Sequence, residues 1–482
     1  MSTIAEVIPS SAFRPAEAHA FKAAGEDFLY LVPSGAVFRM EGLCKDIVEF
    51  VRREPAMRSD IVAHFIDKGL ELAEIEATID DLDQAAVIAS GFSKPPAPVV
   101  PLQKFPLQRV VLNVTNQCNL ACTYCYEYSA DKIAQQDGKP KYMTADIAES
   151  AVEMLILEAG GREGLHVTFF GGETLLNFNV MRTTVIYAER RAAELGKRIE
   201  FSLTTNATLL NETIVDFLSE HRIGVTVSID GDQELNDKMR VFHDGRGSYS
   251  VIAPKIKELL KRHRTNSIGA RVTLTSQVAD VQRIYQHLTT ELGFDSVGFS
   301  PATASPDRLY HIGTQKMDNI LDSFAKLAWE YRDYAVEGKQ HGFTNVSDTL
   351  KELNSGVSKA YPCGAGVGLL GVGTAGDISL CHRFVDSPVG KMGHVKEGGV
   401  DHEARGEFLA THHIGARYDC HTCWARPTCA GGCFHEAFVH YGETSAANLH
   451  YCDWIRGWND LCLQILGEIS VRNPQFLERF EN

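Results

Sequence analysis

The chain has 482 residues, 44% of them hydrophobic and 23% charged, with a formal net charge of −15. That length suits two to four domains of an ordinary soluble globular protein. The acid excess excludes a general nucleic-acid binder, no apolar run approaches the roughly 20 residues of a membrane span, and residues 1–15 lack a secretory signal, so a cytoplasmic location is expected.

Residues 1–24 carry no strong period and read as a flexible tail. Apolar runs over 28–32 and 36–40, separated by Pro33-Ser34-Gly35, read as a hairpin. Helical patterns follow over 43–53, 59–68 and 72–84, and Val87-Ile88 reads as a short closing strand. Together 25–93 form a small winged-helix pattern. Residues 94–105, rich in proline, read as a semi-extended linker.

From Arg109 strands alternate with helices. Strands are expected over 109–115, 165–170, 199–204, 224–230, 268–275 and 296–300, and helices over 144–159, 180–195, 211–220, 249–263 and 280–292. This pattern implies parallel β/α units, an α/β fold with a partial (β/α)6 barrel over 106–310. Ligand sites in such folds lie at the C-terminal ends of the strands. A helical connector is expected over 311–358, a cysteine-rich domain over 359–455 and a C-terminal helix over 456–482.

Twelve cysteines are many for a chain without an export signal. Ten fall into three spaced groups, the pattern of metal sites in a reducing compartment, while Cys44 and Cys462 stand apart and read as small buried hydrophobes. The first group, Cys118, Cys122 and Cys125, follows the first barrel strand with C-x3-C-x2-C spacing. Three thiolates in one loop can hold three irons of a cubane cluster and leave the fourth iron open to a small molecule. Zinc is the alternative, but structural zinc sites want four ligands; three unrelated buried cysteines are another.

This loop, with Tyr124 before its last cysteine, resembles the signature of the radical S-adenosylmethionine (SAM) enzymes. The resemblance implies a [4Fe–4S] cluster whose free iron chelates SAM, and a 5′-deoxyadenosyl radical that takes hydrogen from an unactivated carbon. Phe169-Phe170-Gly171-Gly172-Glu173 resembles the family's Gly-Gly-Glu motif, in which the glycines admit a close ligand and Glu173 takes the SAM amine. Thr205 and Asn206 can reach ribose hydroxyls. Ser228-Ile229-Asp230-Gly231 and Arg240 resemble a Ser-x-Asp-Gly…Asp-x-x-Arg stretch, which implies that Ser228 and Arg240 meet the SAM carboxylate and Tyr124 the adenine. Turn or surface roles are the alternatives for each of these polar residues.

Cys363-x12-Gly376-x4-Cys381, Cys420-x2-Cys423-x5-Cys429-x3-Cys433 and Cys452 resemble the SPASM domain of radical SAM peptide maturases. That resemblance implies two auxiliary [4Fe–4S] clusters, three clusters in all. Cys420, Cys423, Cys429 and Cys452 would enclose one; Cys363, Cys381 and Cys433 would hold the other with three thiolates. Some relatives place a further cysteine shortly before the position of Cys363, but this chain has none between Cys125 and Cys363. A substrate thiolate can take the open iron, or a local carboxylate or histidine can fill it. His382, His412, His413, His421 and His435 receive no assigned role.

The 25–93 unit resembles the peptide-recognition domain of peptide-modifying enzymes, where a leader peptide adds to a sheet edge; a structural cap is the alternative. The layout resembles maturases that install cysteine thioether crosslinks, which implies a ribosomal peptide or small protein as substrate and a flavodoxin- or ferredoxin-type reducing partner. Other radical modifications of a peptide and a non-catalytic metal-stabilised scaffold are the rival readings.

Overall fold

A computed structural model describes residues 11–90 and 105–481. The chain opens with β1 (Phe13–Pro15), then the antiparallel strands β2 (Ala18–Ala23), β3 (Glu26–Leu31) and β4 (Val37–Met40). Helices α1 (Gly42–Arg53), α2 (Arg58–Ile66) and α3 (Leu72–Gln84) follow, and β5 (Ile88–Ser90) returns to pair with β1. The tail expected over 1–24 is therefore corrected, because Phe13–Pro15 and Ala18–Ala23 are strands; residues 1–10 lie outside the described residues. Phe21 and Ala23 bury against the main core, a contact that local sequence does not announce.

Alternation along β3 divides its side chains between two cores. Leu29 and Leu31 join Ile47, Ile61 and Ile79 of the helices, whereas Phe28 and Tyr30 join the main core of the molecule. The three-stranded sheet is thus sandwiched. Of the proline-rich linker, residues 94–104 lie outside the described residues.

The barrel begins with β6 (Arg109–Asn113) and α4 (Ala145–Glu158), then β7 (Gly164–Phe170), α5 (Phe178–Glu194), β8 (Arg198–Thr205), α6 (Glu212–Glu220) and β9 (Gly224–Ser228). A short α7 (Gln233–Met239) precedes α8 (Tyr249–Arg262), β10 (Ile268–Leu274), α9 (Val281–Gln286) and β11 (Ser296–Pro301). Side-chain caps start several helices where the sequence offers them: the Asn211 amide oxygen accepts from Ile214 N at 3.0 Å, and the Asp232 carboxylate from Leu235 N at 3.1 Å. All six strands are parallel, in the order β11-β10-β9-β8-β7-β6.

Period-2 alternation sends Val167, Phe169, Phe201, Leu203, Val225, Val227, Ala270 and Val272 to the apolar core. The intervening side chains, Thr168, Ser202, Thr226, Ser228, Arg271 and Thr273, face the other way, into the lumen. There Thr168 and His166 both hydrogen-bond the Ser202 hydroxyl, at 3.1 and 2.8 Å.

The expected connector is two helices, α10 (Thr314–Val336) and α11 (Thr344–Asn354). The cysteine-rich segment then contributes β12 (Leu369–Val372), β13 (Asp377–Ser379), β14 (Lys391–His394) and β15 (Gly399–Val400), with α12 (His402–His412), α13 (Arg426–Cys429) and α14 (Phe434–Tyr441). β12 runs parallel to β6, and β13 to β15 extend antiparallel from it, so one ten-stranded sheet joins barrel and cysteine domain. The final helix α15 spans Cys452–Arg472, which corrects the expected 456–482. It packs along α10 and, at Gly467, against β2: a Cβ there would meet Ala23 Cβ at 2.6 Å and Phe28 at 3.4 Å.

Candidate active site

The thiol loop leaves β6 and is pinned from two sides. Ala121 N donates to Val241 O at 2.7 Å and Thr123 N to Met239 O at 3.2 Å, tying it to the exit of α7. On the other side Gly172 N donates to Thr115 O and Glu173 N to Gln117 O, at 3.0 and 2.9 Å. A Cβ on Gly171 would lie 2.5 Å from Thr115 O, and one on Gly172 2.3 Å from Gln117 O. These two glycines admit the backbone of the thiol loop itself.

Glu173 is likewise engaged within the protein. Its buried carboxylate accepts from Leu175 N (3.0 Å), Thr205 Oγ1 (2.7 Å) and Asn206 N (2.7 Å). Burial pushes its pKa up while these donors pull it back. Asn206 Nδ2 in turn donates to Asn119 Oδ1 at 2.9 Å and lies 3.9 Å from Cys118 Sγ. Glu173, Thr205 and Asn206 therefore form a brace behind the thiols.

A second network sits opposite. Tyr124 OH donates to Asp230 Oδ2 and accepts from Arg240 Nη1, both at 2.5 Å, and Thr273 N donates to Asp230 Oδ1 at 2.9 Å. All three side chains are buried. The hydroxyl of Tyr124 is thus held by charge rather than left free, while Arg240 Nε is a buried donor without a partner among the described residues. Ser228, on the lumen face at the end of β9, is half-buried.

Cys118, Cys122 and Cys125 are free thiols. Burial, with a smaller contribution from Cys122, pushes Cys118 up to about 11 and Cys125 up to about 12. A soft metal centre fits such a donor set, because binding displaces protons that the site otherwise holds. The unpaired Nε of Arg240 beside it fits an anionic group.

The remaining cysteines form two further sets. Cys363, Cys381 and Cys433 act electrostatically on one another, with Cys381 pushed by burial up to about 12. Cys420 interacts with Cys423, Cys429 and Cys452, the last at the start of α15. Cys462 is buried in the core and Cys44 is half-buried.

Between the thiol loop and the Cys363 set lies an aromatic box that the sequence reading did not assign. Tyr126, next to Cys125, meets His382 and His435 edge-on at 6.1 and 5.7 Å, and the Arg383 guanidinium sits over its ring at 5.0 Å. His435 is buried with both ring nitrogens unpartnered. His412 bonds Phe408 O and Thr444, His413 bonds Gly415 N, and His421 bonds Gly415 O, all local roles. The adjacency of His382 to Cys381 and of His435 to Cys433 was the available signal, but their convergence on Tyr126 is tertiary.

The region with the parallel strands, the three-thiol loop after the first strand and the glycine pair at the end of the second is similar to a known family: residues 112–288 match the model of the Radical SAM superfamily. The chain is similar to an uncharacterized protein of Methanocaldococcus jannaschii, 29% identical over 275 residues, covering 57% of this chain and 85% of that protein. It is 28% identical over 184 residues to the cysteine-type anaerobic sulfatase-maturating enzyme of Clostridium perfringens, covering 38% of this chain and about half, 48%, of that enzyme. Solved structures of anSMEcpe share the fold. With bound AdoMet the TM-score is 0.64 at 22% identity, covering 77% of this chain and 99% of that one. With AdoMet and the Cp18Cys peptide it is 0.62 at 20%, covering 78% and 99%.

Proposed function

We propose that this protein is a radical SAM peptide maturase that forms intrapeptidyl thioether crosslinks between cysteines and side-chain carbons of acidic residues in a ribosomal polypeptide. Its layout most resembles the maturation protein of quinohemoprotein amine dehydrogenase. Cys118, Cys122 and Cys125 would hold the SAM cluster; Cys363, Cys381 and Cys433 the first auxiliary cluster; Cys420, Cys423, Cys429 and Cys452 the second. Bound there, an iron–sulfur cluster with SAM supplies abstraction of hydrogen from an unactivated carbon.

The protein's own residues supply place and shielding. The Glu173 brace fixes the thiol loop from behind. Arg240 Nε and Ser228 offer donors for the SAM carboxylate, and the Tyr124–Asp230 pair holds Arg240 in place. The N-terminal sheet, seated on α15, would hold the substrate polypeptide. A groove over its strands and α1, lined by Phe28, Met40, Lys45 and Arg52, is a surface for that role.

The observation that carries the reading is the thiol count. Cys363, Cys381 and Cys433 form a set of three, and the set beside it is already complete with four. A site short of one sulfur suits a substrate that brings its own. Thioether formation removes one hydrogen atom from a carbon and one proton from a thiol, with SAM consumed as oxidant, so the product is two hydrogens lighter.

Similarity to the sulfatase-maturating enzyme favours a second reading, oxidation of one cysteine or serine side chain. Mass spectrometry of the modified polypeptide separates them. The thioether reading expects a loss of two hydrogens per crosslink, blocked thiols, and no loss once the substrate cysteines are replaced. An unchanged two-hydrogen loss in the cysteine-free substrate contradicts it.

A further inference from the structure

Of four arginines in and around the barrel, Arg240 and Arg405 are buried, Arg383 is half-buried and Arg271 is exposed. Arg405 is spent on carbonyls, with Nε to Gly366 O at 2.7 Å and Nη2 to Phe105 O at 2.7 Å. Arg240 faces Asp230 and Tyr124. Arg271 and Arg383 have neither arrangement.

Arg271 lies on β10 between Ala270 and Val272, which point into the core, so its own side chain points into the barrel lumen. It pairs in register with Ser228. Its Nη2 donates to the Ser300 hydroxyl on β11, and the absence of a side chain at Gly298 leaves room beside Nη1. Arg383 follows Cys381 and reaches the same strand exit, where its Nη1 donates to Thr303 Oγ1 at 3.0 Å. Each guanidinium has five N–H donors and one protein hydroxyl to receive them. Neither makes an ion pair with a carboxylate among the described residues.

The two head groups bond hydroxyls three residues apart at the β11 exit, Ser300 and Thr303, and the charge of Arg383 acts on Arg271 there. Asp348 of α11 acts on Arg271 from beyond ion-pair distance, and Cys433, Cys381 and Glu436 act on Arg383. Those thiols offset Arg383 alone. Two cations reaching one strand exit, open to an incoming ligand and with donors to spare, are stabilised by an anion that takes both.

We propose that Arg271 and Arg383 clamp the side-chain carboxylate of the acidic substrate residue whose carbon loses hydrogen. The clamp rests on the peptide-maturase reading and adds its specificity. Arg383 stands over Tyr126, beside Cys125, and lies two residues after Cys381. A carboxylate held there sets its neighbouring methylene between the thiol loop and the first auxiliary set. A guanidinium pair also discriminates: it receives a carboxylate bidentately and rejects the neutral amide of Asn or Gln.

The test uses the cluster-loaded, reduced protein with SAM and a set of cysteine-containing peptides carrying side-chain-deuterated Asp or Glu, against the same set with Asn or Gln. Deuterium in 5′-deoxyadenosine reports which carbon was attacked. We expect transfer from the acidic set and at least tenfold less from the amide set. Arg271→Gln and Arg383→Gln should each cut transfer at least tenfold, Arg271→Lys and Arg383→Lys less, while peptide-free SAM cleavage stays within twofold. Transfer that survives both Gln variants overturns the clamp and leaves the maturase reading standing. Loss of peptide-free cleavage in parallel with transfer also overturns it, by assigning the pair to the SAM carboxylate. No transfer from any peptide overturns both readings.

Discussion

At the scale of single residues, the site depends on backbone proximity as much as on ligands. Gly172 lets one loop rest on another, and a methyl group there collides with Gln117 O and with the Tyr128 hydroxyl, each 2.3 Å away. We expect Gly172→Ala to cost about 1–3 kcal/mol and to displace the thiol loop, seen as a lowered melting temperature and as loss of iron at Cys118, Cys122 and Cys125. A variant with wild-type stability and iron content would contradict this account. The motif itself was legible in the sequence. Its role was not, because the Thr115–Gln117 backbone it touches lies more than fifty positions away.

His166 gives a residue-scale prediction in pH. Burial in the lumen, and after it the charge of Arg109 on the neighbouring strand, lower its pKa to about 4. Glu200 on β8 approaches Nδ1 at 3.8 Å but is largely exposed, so it does not restore the charge. The imidazole is therefore neutral in the folded protein, whereas it titrates near 6.5 when unfolded. Its contribution to stability is complete above pH 6.5 and is lost as the pH falls towards 4. The loss reaches at most roughly 3 kcal/mol. His166→Gln should flatten the fall of melting temperature over that interval, and an unchanged slope would contradict the assignment.

At the scale of elements, the strand and helix order of the barrel was readable because hydrophobic period and turn residues agree over every β/α unit. Two elements escaped. β2 is short, with exposed Lys22 between buried Phe21 and Ala23, and owes its place to α15, over four hundred residues later in the chain. The extension of the barrel sheet by β12 is likewise a long-range pairing that no local pattern signals. The seam between β2 and α15 is tight at Gly467, where added bulk meets Ala23, Phe21 and Phe28. Gly467→Leu should therefore cost about 1–3 kcal/mol and loosen the N-terminal sheet from the rest. Trp424, stacked on His19 at 3.7 Å, provides a fluorescence reporter of that seam. An unaltered Trp spectrum and melting temperature would show that the seam tolerates the side chain. The nearby Arg426–Glu17 pair is partly exposed and contributes little by comparison.

At the scale of the whole molecule, three groups of free thiols are carried on one continuous scaffold, with Tyr126, His382, Arg383 and His435 between the first group and the second. Spacing within one loop made the group of Cys118, Cys122 and Cys125 legible from the sequence, whereas joining Cys433 to Cys363 and Cys381, and Cys452 to Cys420, Cys423 and Cys429, rested on resemblance to a known domain. What faces what across the gap was not legible, because it depends on how the cysteine domain docks through β12. The central claim is that the loop of Cys118, Cys122 and Cys125 makes this a SAM-cleaving protein. The direct measurement is 5′-deoxyadenosine formed from SAM by the iron-reconstituted, dithionite-reduced protein, beside a Cys122→Ser variant that keeps its C-terminal cysteines. The account predicts product from the first and none from the second. Iron-loaded wild-type protein that leaves SAM intact, or a Cys122→Ser variant that still cleaves it, would contradict it.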